Sequence, residues 1–156
     1  TVVSEVLEPG ERDVLVQAAH MHDIGYAPDL RVTGLHQLDG AAWLRRLGCE
    51  RLARLVAHHS EARFEIELRG MSHLLAKYPR EEGAVADALT YCDMTTGPSG
   101  EPTMIDARLA EVEQRYGEGT VVVEALRQAR PHLEAAVERT EQRLKSARLL
   151  ETAQPR

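Results

Sequence analysis

The sequence predicts an all-α protein, a single-domain helical bundle of about seven helices, on three observations. Apolar residues recur at spacings of three and four, the repeat of one helix face. Twenty Ala and nineteen Leu stand against an aromatic content of 4%, which suits helices and denies a β-sandwich its aromatic and β-branched residues. Gly and Pro punctuate the chain at helix-length intervals.

The elements follow in order. Val2, Val3, Val6 and Leu7 read as the end of one helix, stopped by Pro9-Gly10. A helix over about 11–23 buries Leu15, Ala18, Ala19 and His22, and Gly25 ends it. Pro28, Asp29, Thr33 and Gly34 make 26–35 a loop. A helix over about 36–47, with Trp43 as core packing, stops at Gly48. The next, about 50–59, sets Leu52, Leu55, Val56 and His59 on one face. Residues 61–78 read as a helix broken near Gly70, although 64–68 alternate with a strand-like period of two. Val85, Leu89 and Cys92 mark a helix over 81–93, and 95–102 is a Gly/Pro loop. Helices over 104–116 and 120–130 precede a last one, which Pro131 opens and which runs to about 150. The whole is one domain, with a metal-site core over about 11–95 and C-terminal helices over about 103–152.

Composition excludes several function classes. A formal net charge of −6 argues against stable nucleic-acid binding. No apolar run reaches the ~18 residues that span a bilayer. Cys49 and Cys92 are too few for a Cys₄ zinc site or a multi-disulfide framework, so a reducing cytoplasm is the expected compartment. No phosphate-binding loop of the G-x-x-x-x-G-K-[ST] type is present. Charge alternates along 124–151, as expected of a solvated face or of a helix packed on the domain or in a homodimer.

The chemistry is concentrated in His and Asp at helix ends. His22 and Asp23 are adjacent where one helix stops; His36 begins the next; His58 and His59 end another; Asp93 closes an apolar run. Imidazole and carboxylate together suit a borderline divalent metal, and an Asp on an apolar face is costly unless paired or coordinated. His20, His73 and His132 read as structural or exposed. Arg63, Lys77 and Arg80 are candidate phosphate-binding cations, and Thr95 with Thr96-Gly97 could line a pocket. Asp39 either orients His36 or faces water.

The order H-D-I-G at 22–25, H-Q-L-D-G-A at 36–41, H-H-S at 58–60 and Asp93 resembles the HD superfamily of metal-dependent phosphohydrolases, over about residues 1–95. The resemblance implies one or two divalent ions (Fe, Mn, Zn, Ni, Co or Mg) on His22, Asp23, His36, His58, His59 and Asp93. It also implies catalytic roles at Asp23 and His58, and weaker substrate contacts at Arg63, Lys77 and Thr95. The implied activity is hydrolysis of a phosphate ester of a nucleotide or small phosphorylated metabolite by metal-activated water. The family pattern opens with a ligand His on the preceding helix, and no His precedes His20. The expectation is therefore a truncated or missing first helix. A non-catalytic domain that senses metal or nucleotide is the alternative, and a purely structural oligomerisation module is the third reading.

Overall fold

The computed structural model describes residue 3 and residues 6–153, with side chains described through residue 148. Among the described residues, eight α-helices form one domain: α1 (Pro9–Met21), α2 (His36–Arg46), α3 (Glu50–His58), α4 (Arg63–Leu68), α5 (Ser72–Leu75), α6 (Ala84–Met94), α7 (Ile105–Tyr116) and α8 (Val121–Ala153). Short 3₁₀ turns occupy Ile24–Tyr26, Pro28–Leu30 and His59–Glu61. Among the described residues there is no strand, only an isolated bridge between Thr96 and Pro102. The same residues include no helix long and apolar enough to cross a membrane.

Two expectations, both at prolines, are corrected. Pro9 opens α1 instead of ending a helix, since a first-turn proline has no N–H to lose. The expected helix end at Val2 lies outside the described residues, while Val3 and Leu7 are buried against Leu15 and Leu89. The 61–78 stretch breaks near Gly70, as expected, into α4 and α5. Gly70 adopts φ 71° and, with Met71, donates back to Glu67 and Ile66, which closes the end of α4 as a Schellman motif. Its alternating part, 64–68, is helical. Pro131 does not start a helix but lies inside α8. It is exposed, and the flanking burial of Ala129 and Leu133 outweighs one lost backbone bond.

Three apolar clusters hold the helices together. Leu38, Ala41 and Leu44 of α2 meet Ala53, Val56 and Ala57 of α3, with Ile66, Leu75 and Tyr78 beneath; Trp43 packs on this cluster as expected. Leu15 and Ala18 of α1 meet Leu55, Val85, Ala88 and Leu89. Met94, Leu109, Ala129, Leu133 and Val137 join α6, α7 and α8.

One close approach positions the functional end. Gly25, in the turn after α1, lies against the start of α2, where an added Cβ would stand 1.9 Å from the His36 carbonyl oxygen and 2.7 Å from the Gly40 nitrogen. Gly40 in turn leaves room for Ile24 and Val56. The Asp39 carboxylate, buried, accepts bonds from the backbone of Val32, Thr33 and Gly34 and from the Thr33 hydroxyl. It thus fixes the loop that delivers His36 and does not orient the imidazole directly. A Gly25→Ala variant must push the turn off α2. It should lose about 3 kcal/mol or more of unfolding free energy in urea denaturation; a loss within the ordinary surface range would show that the contact is slack.

Candidate metal centre

The residues at this end converge because each sits where a helix stops or starts. His22 caps α1, and its Nδ1 donates to the Ala19 carbonyl at 2.8 Å. His59 follows α3, and its Nδ1 donates to the Val56 carbonyl at 2.6 Å. Both bonds fix the tautomer and leave Nε2 as a lone-pair donor, the orientation that ligating histidines adopt. His36 begins α2, its ring stacked on Tyr26 at 4.0 Å and 14°.

Asp23 lies at the middle. Its Oδ1 is 3.3 Å from His36 Nε2 and 3.9 Å from His59 Nε2, and its Oδ2 is 3.4 Å from His22 Nε2. His36 Nε2 and His59 Nε2 are 3.3 Å apart. Donor atoms held by a single ion at about 2.0–2.1 Å stand roughly 3–3.5 Å from one another, so Asp23, His36 and His59 fit a shared cation; ligand atoms of these three lie within 4.8 Å of one another. On the other side of Asp23, Asp93 Oδ1 is 3.9 Å from His22 Nε2. The Asp93 Oδ2 accepts a short bond from the Ser60 hydroxyl. The carboxylate of Asp23 therefore faces one donor set through each oxygen.

Electrostatics agree with a cation site. Burial works against the Asp23 charge, yet His36 and the neighbouring His22 and His59 bring its carboxyl down to about 2. His59 is pushed to about 4, first by burial and then by His36 and His22. Asp23 and His59 are thus in the states a metal needs, carboxylate ionised and imidazole neutral.

Of the residues expected at the site, His22, Asp23, His36, His59 and Asp93 come together; His58, Arg63, Lys77, Thr95 and Arg80 do not join them, Arg80 being bound to Glu61. His58 turns the other way and donates from Nε2 to the Tyr78 carbonyl at 2.7 Å. Arg63 is bound to Glu61 and lies over the Phe64 ring. Lys77 is exposed and contributes only its carbonyl, to Arg45. The Thr95 hydroxyl is spent on the Tyr91 carbonyl of its own helix. His20 and His73 are exposed, as expected, and His132 lies tilted against the Phe64 ring.

Residues the sequence did not single out complete the site. Arg108 of α7 brings Nη2 to 3.6 Å from Asp93 Oδ1 and is held by Glu111 at 2.6 Å. It lines a cleft of about 310 Å³ with His22, Asp23, Cys92, Asp93 and Thr96. Tyr26 covers His36 from the opposite rim, its hydroxyl bonded to Tyr116; burial and that bond raise its pKa, so it stays protonated. Comparison with known proteins finds no matching family model, no matching curated protein and no matching solved structure.

Two outcomes are expected. Protein saturated with Mn²⁺ or Zn²⁺ and desalted should retain metal by elemental mass spectrometry, and Asp23→Ala should retain less than about a tenth as much. Metal-free protein should also weaken in acid. The folded pKa of His59, about 4, is below its ordinary 6.5, so the unfolded chain binds more protons between these values. The contribution is whole above 6.5 and is lost as pH falls towards 4, roughly 3 kcal/mol in all. Urea titrations across this window should show the loss, and His59→Gln should flatten it.

Proposed function

We propose that this protein is a metal-dependent phosphohydrolase of the HD type, cleaving a phosphate ester of a nucleotide or small phosphorylated metabolite. The observation that carries the reading is the position of Asp23, with an oxygen on each side facing ring nitrogens, two of whose tautomers are fixed by backbone bonds. A divalent ion bound there would acidify water and neutralise phosphoryl oxygens as charge develops.

The chain's own residues account for the rest. His22, Asp23, His36, His59 and Asp93 would hold the cation. Asp23 is half-exposed while His59 is buried, so substrate and water reach the centre from the cleft side. Arg108, at the same cleft and adjacent to Asp93, offers a guanidinium to a phosphoryl oxygen; the fork suits that shape better than an ammonium would. Ser60 keeps Asp93 in one orientation through its hydroxyl. No side chain is placed as a covalent nucleophile in this reading, so the attacking oxygen comes from water.

Hydrolysis of an aryl phosphate and a nucleotide panel with added Mn²⁺ tests the proposal. Turnover should depend on metal, and Asp23→Ala should lower kcat/KM about a thousandfold, roughly 4 kcal/mol of transition-state stabilisation. Arg108→Gln should retain metal but lower kcat/KM by about 10–100-fold. Stoichiometric metal without turnover of any ester would instead favour a sensor.

A further inference from the structure

A second cavity, of about 530 Å³, lies among α3, α4, the segment before α6, α6 and α8. His59 is the only residue of the metal cluster in its wall. Its chemistry is different: four arginines from three parts of the chain, Arg63, Arg80, Arg139 and Arg143, line it around two buried carboxylates, Glu61 and Asp87.

The pairing is uneven. Arg80 grips Glu61 with both Nη atoms, and Arg139 grips Asp87 through Nε at 3.0 Å and Nη2 at 2.6 Å. A single bidentate arginine already neutralises a carboxylate. Yet Glu61 also takes Arg63 Nε at 2.8 Å, and Asp87 also takes Arg143 Nη1 at 2.8 Å. Each of these second arginines spends one nitrogen and keeps the remainder of its fork. The other acids in the wall do not absorb the surplus. Glu81 is gripped by Arg51, and Glu82 is 86% exposed with its nearest guanidinium nitrogen, on Arg80, 4.0 Å away. Burying two carboxylates explains two arginines; it does not explain four.

The remaining lining is that of a small-molecule site. Leu55, Leu89 and Ala136 supply apolar surface, and two other wall residues, Arg63 and His132, both pack on the neighbouring Phe64 ring, at 4.5 Å and 5.4 Å. His58 adds an acceptor: its Nε2 donates to the Tyr78 carbonyl, and its buried Nδ1 has no partner.

We propose that this cavity is a second binding site, for a small molecule bearing a diphosphate group, with Arg63 of α4 and Arg143 of α8 supplying the spare guanidinium forks from two separate helices. Two forks on separate elements suit two linked anionic groups, and the volume exceeds what one phosphate fills. The site is independent of the metal, so it stands or falls apart from the hydrolase reading.

Isothermal titration calorimetry of the full chain with pyrophosphate, in the presence of EDTA, tests this. Wild type and Asp23→Asn should bind with the same Kd. Arg63→Gln and Arg143→Gln each leave their carboxylate one bidentate partner, so both should fold by circular dichroism and weaken binding about tenfold or more. Malonate should bind at least tenfold more weakly than pyrophosphate. Absence of binding to wild type, loss of binding in Asp23→Asn, unchanged binding in both arginine variants, or equal affinity for malonate would overturn the proposal.

Discussion

The contact between Gly25 and the first turn of α2 sets the geometry of everything functional in this chain. With 1.9 Å between a would-be Cβ and the His36 carbonyl, only a residue without a side chain lets the turn after α1 lie on that backbone. That approach is what brings Asp23, in the turn after α1, within 3.3 Å of His36 at the start of α2, thirteen positions on. Gly40 repeats the device from the other side, admitting Ile24 and Val56. The apolar contact between α2 and α3 then carries His59 to the same point, because Val56 and Ala57 are packed in it. The order of causes runs from a missing methyl, to backbone contact, to converging nitrogens.

What the contact assembles would be unfavourable without a cation. His22 and His59 both have Nδ1 committed to carbonyls, so their Nε2 lone pairs point at one another's surroundings and at the Asp23 carboxylate. Lone pairs facing a carboxylate gain little from each other; a divalent ion between them gains from all. Without one, the proton His36 can share with Asp23 is a partial substitute, and the lowered Asp23 pKa reflects it. The protein thus keeps a polar cluster of high cost at a helix-end junction, a local conflict of the kind that marks function more often than stability.

Much of this was legible in the sequence, for a physical reason. Helix ends are announced by Gly and Pro, so His22, Asp23, His36, His59 and Asp93 could be placed at ends before their contacts were known. The choice between His58 and His59 was not legible. They are neighbours, and which of them faces the cluster depends on where α3 gives way to the 59–61 turn, with its left-handed Ser60 and Glu61 at φ 51° and 55°. Nothing in the residue types advertises that conformation, since neither is Gly or Asn. Arg108 was hidden differently. It reaches Asp93 across a loop of about ten residues, and one arginine among seventeen carries no mark of its partner. Arg139 and Arg143 have i, i+4 spacing, but the buried Asp87 that gathers them lies 52 and 56 positions earlier. The helices at Pro9 and Pro131 went the other way from expectation because a proline's effect depends on which turn of a helix it occupies, which the local sequence leaves open.

The strained turn ties the two halves of the molecule's polar interior together. Left-handed backbone at two consecutive non-glycine residues costs on the order of 1–3 kcal/mol each, and it persists only where surroundings over-determine it. Here the three residues of the turn are each fixed by a different partner. His59 is held by its Val56 bond in the histidine cluster, Ser60 by Asp93, and Glu61 by Arg63 and Arg80 in the arginine cavity. One surface of the turn therefore belongs to the histidines and the next residue to the guanidiniums, with no flexible spacer between. The strain explains why Glu61 is buried with two arginines: a carboxylate turned inward by a left-handed backbone needs charge to meet it, and the arginines that meet it on one side of the turn help hold His59 in place on the other.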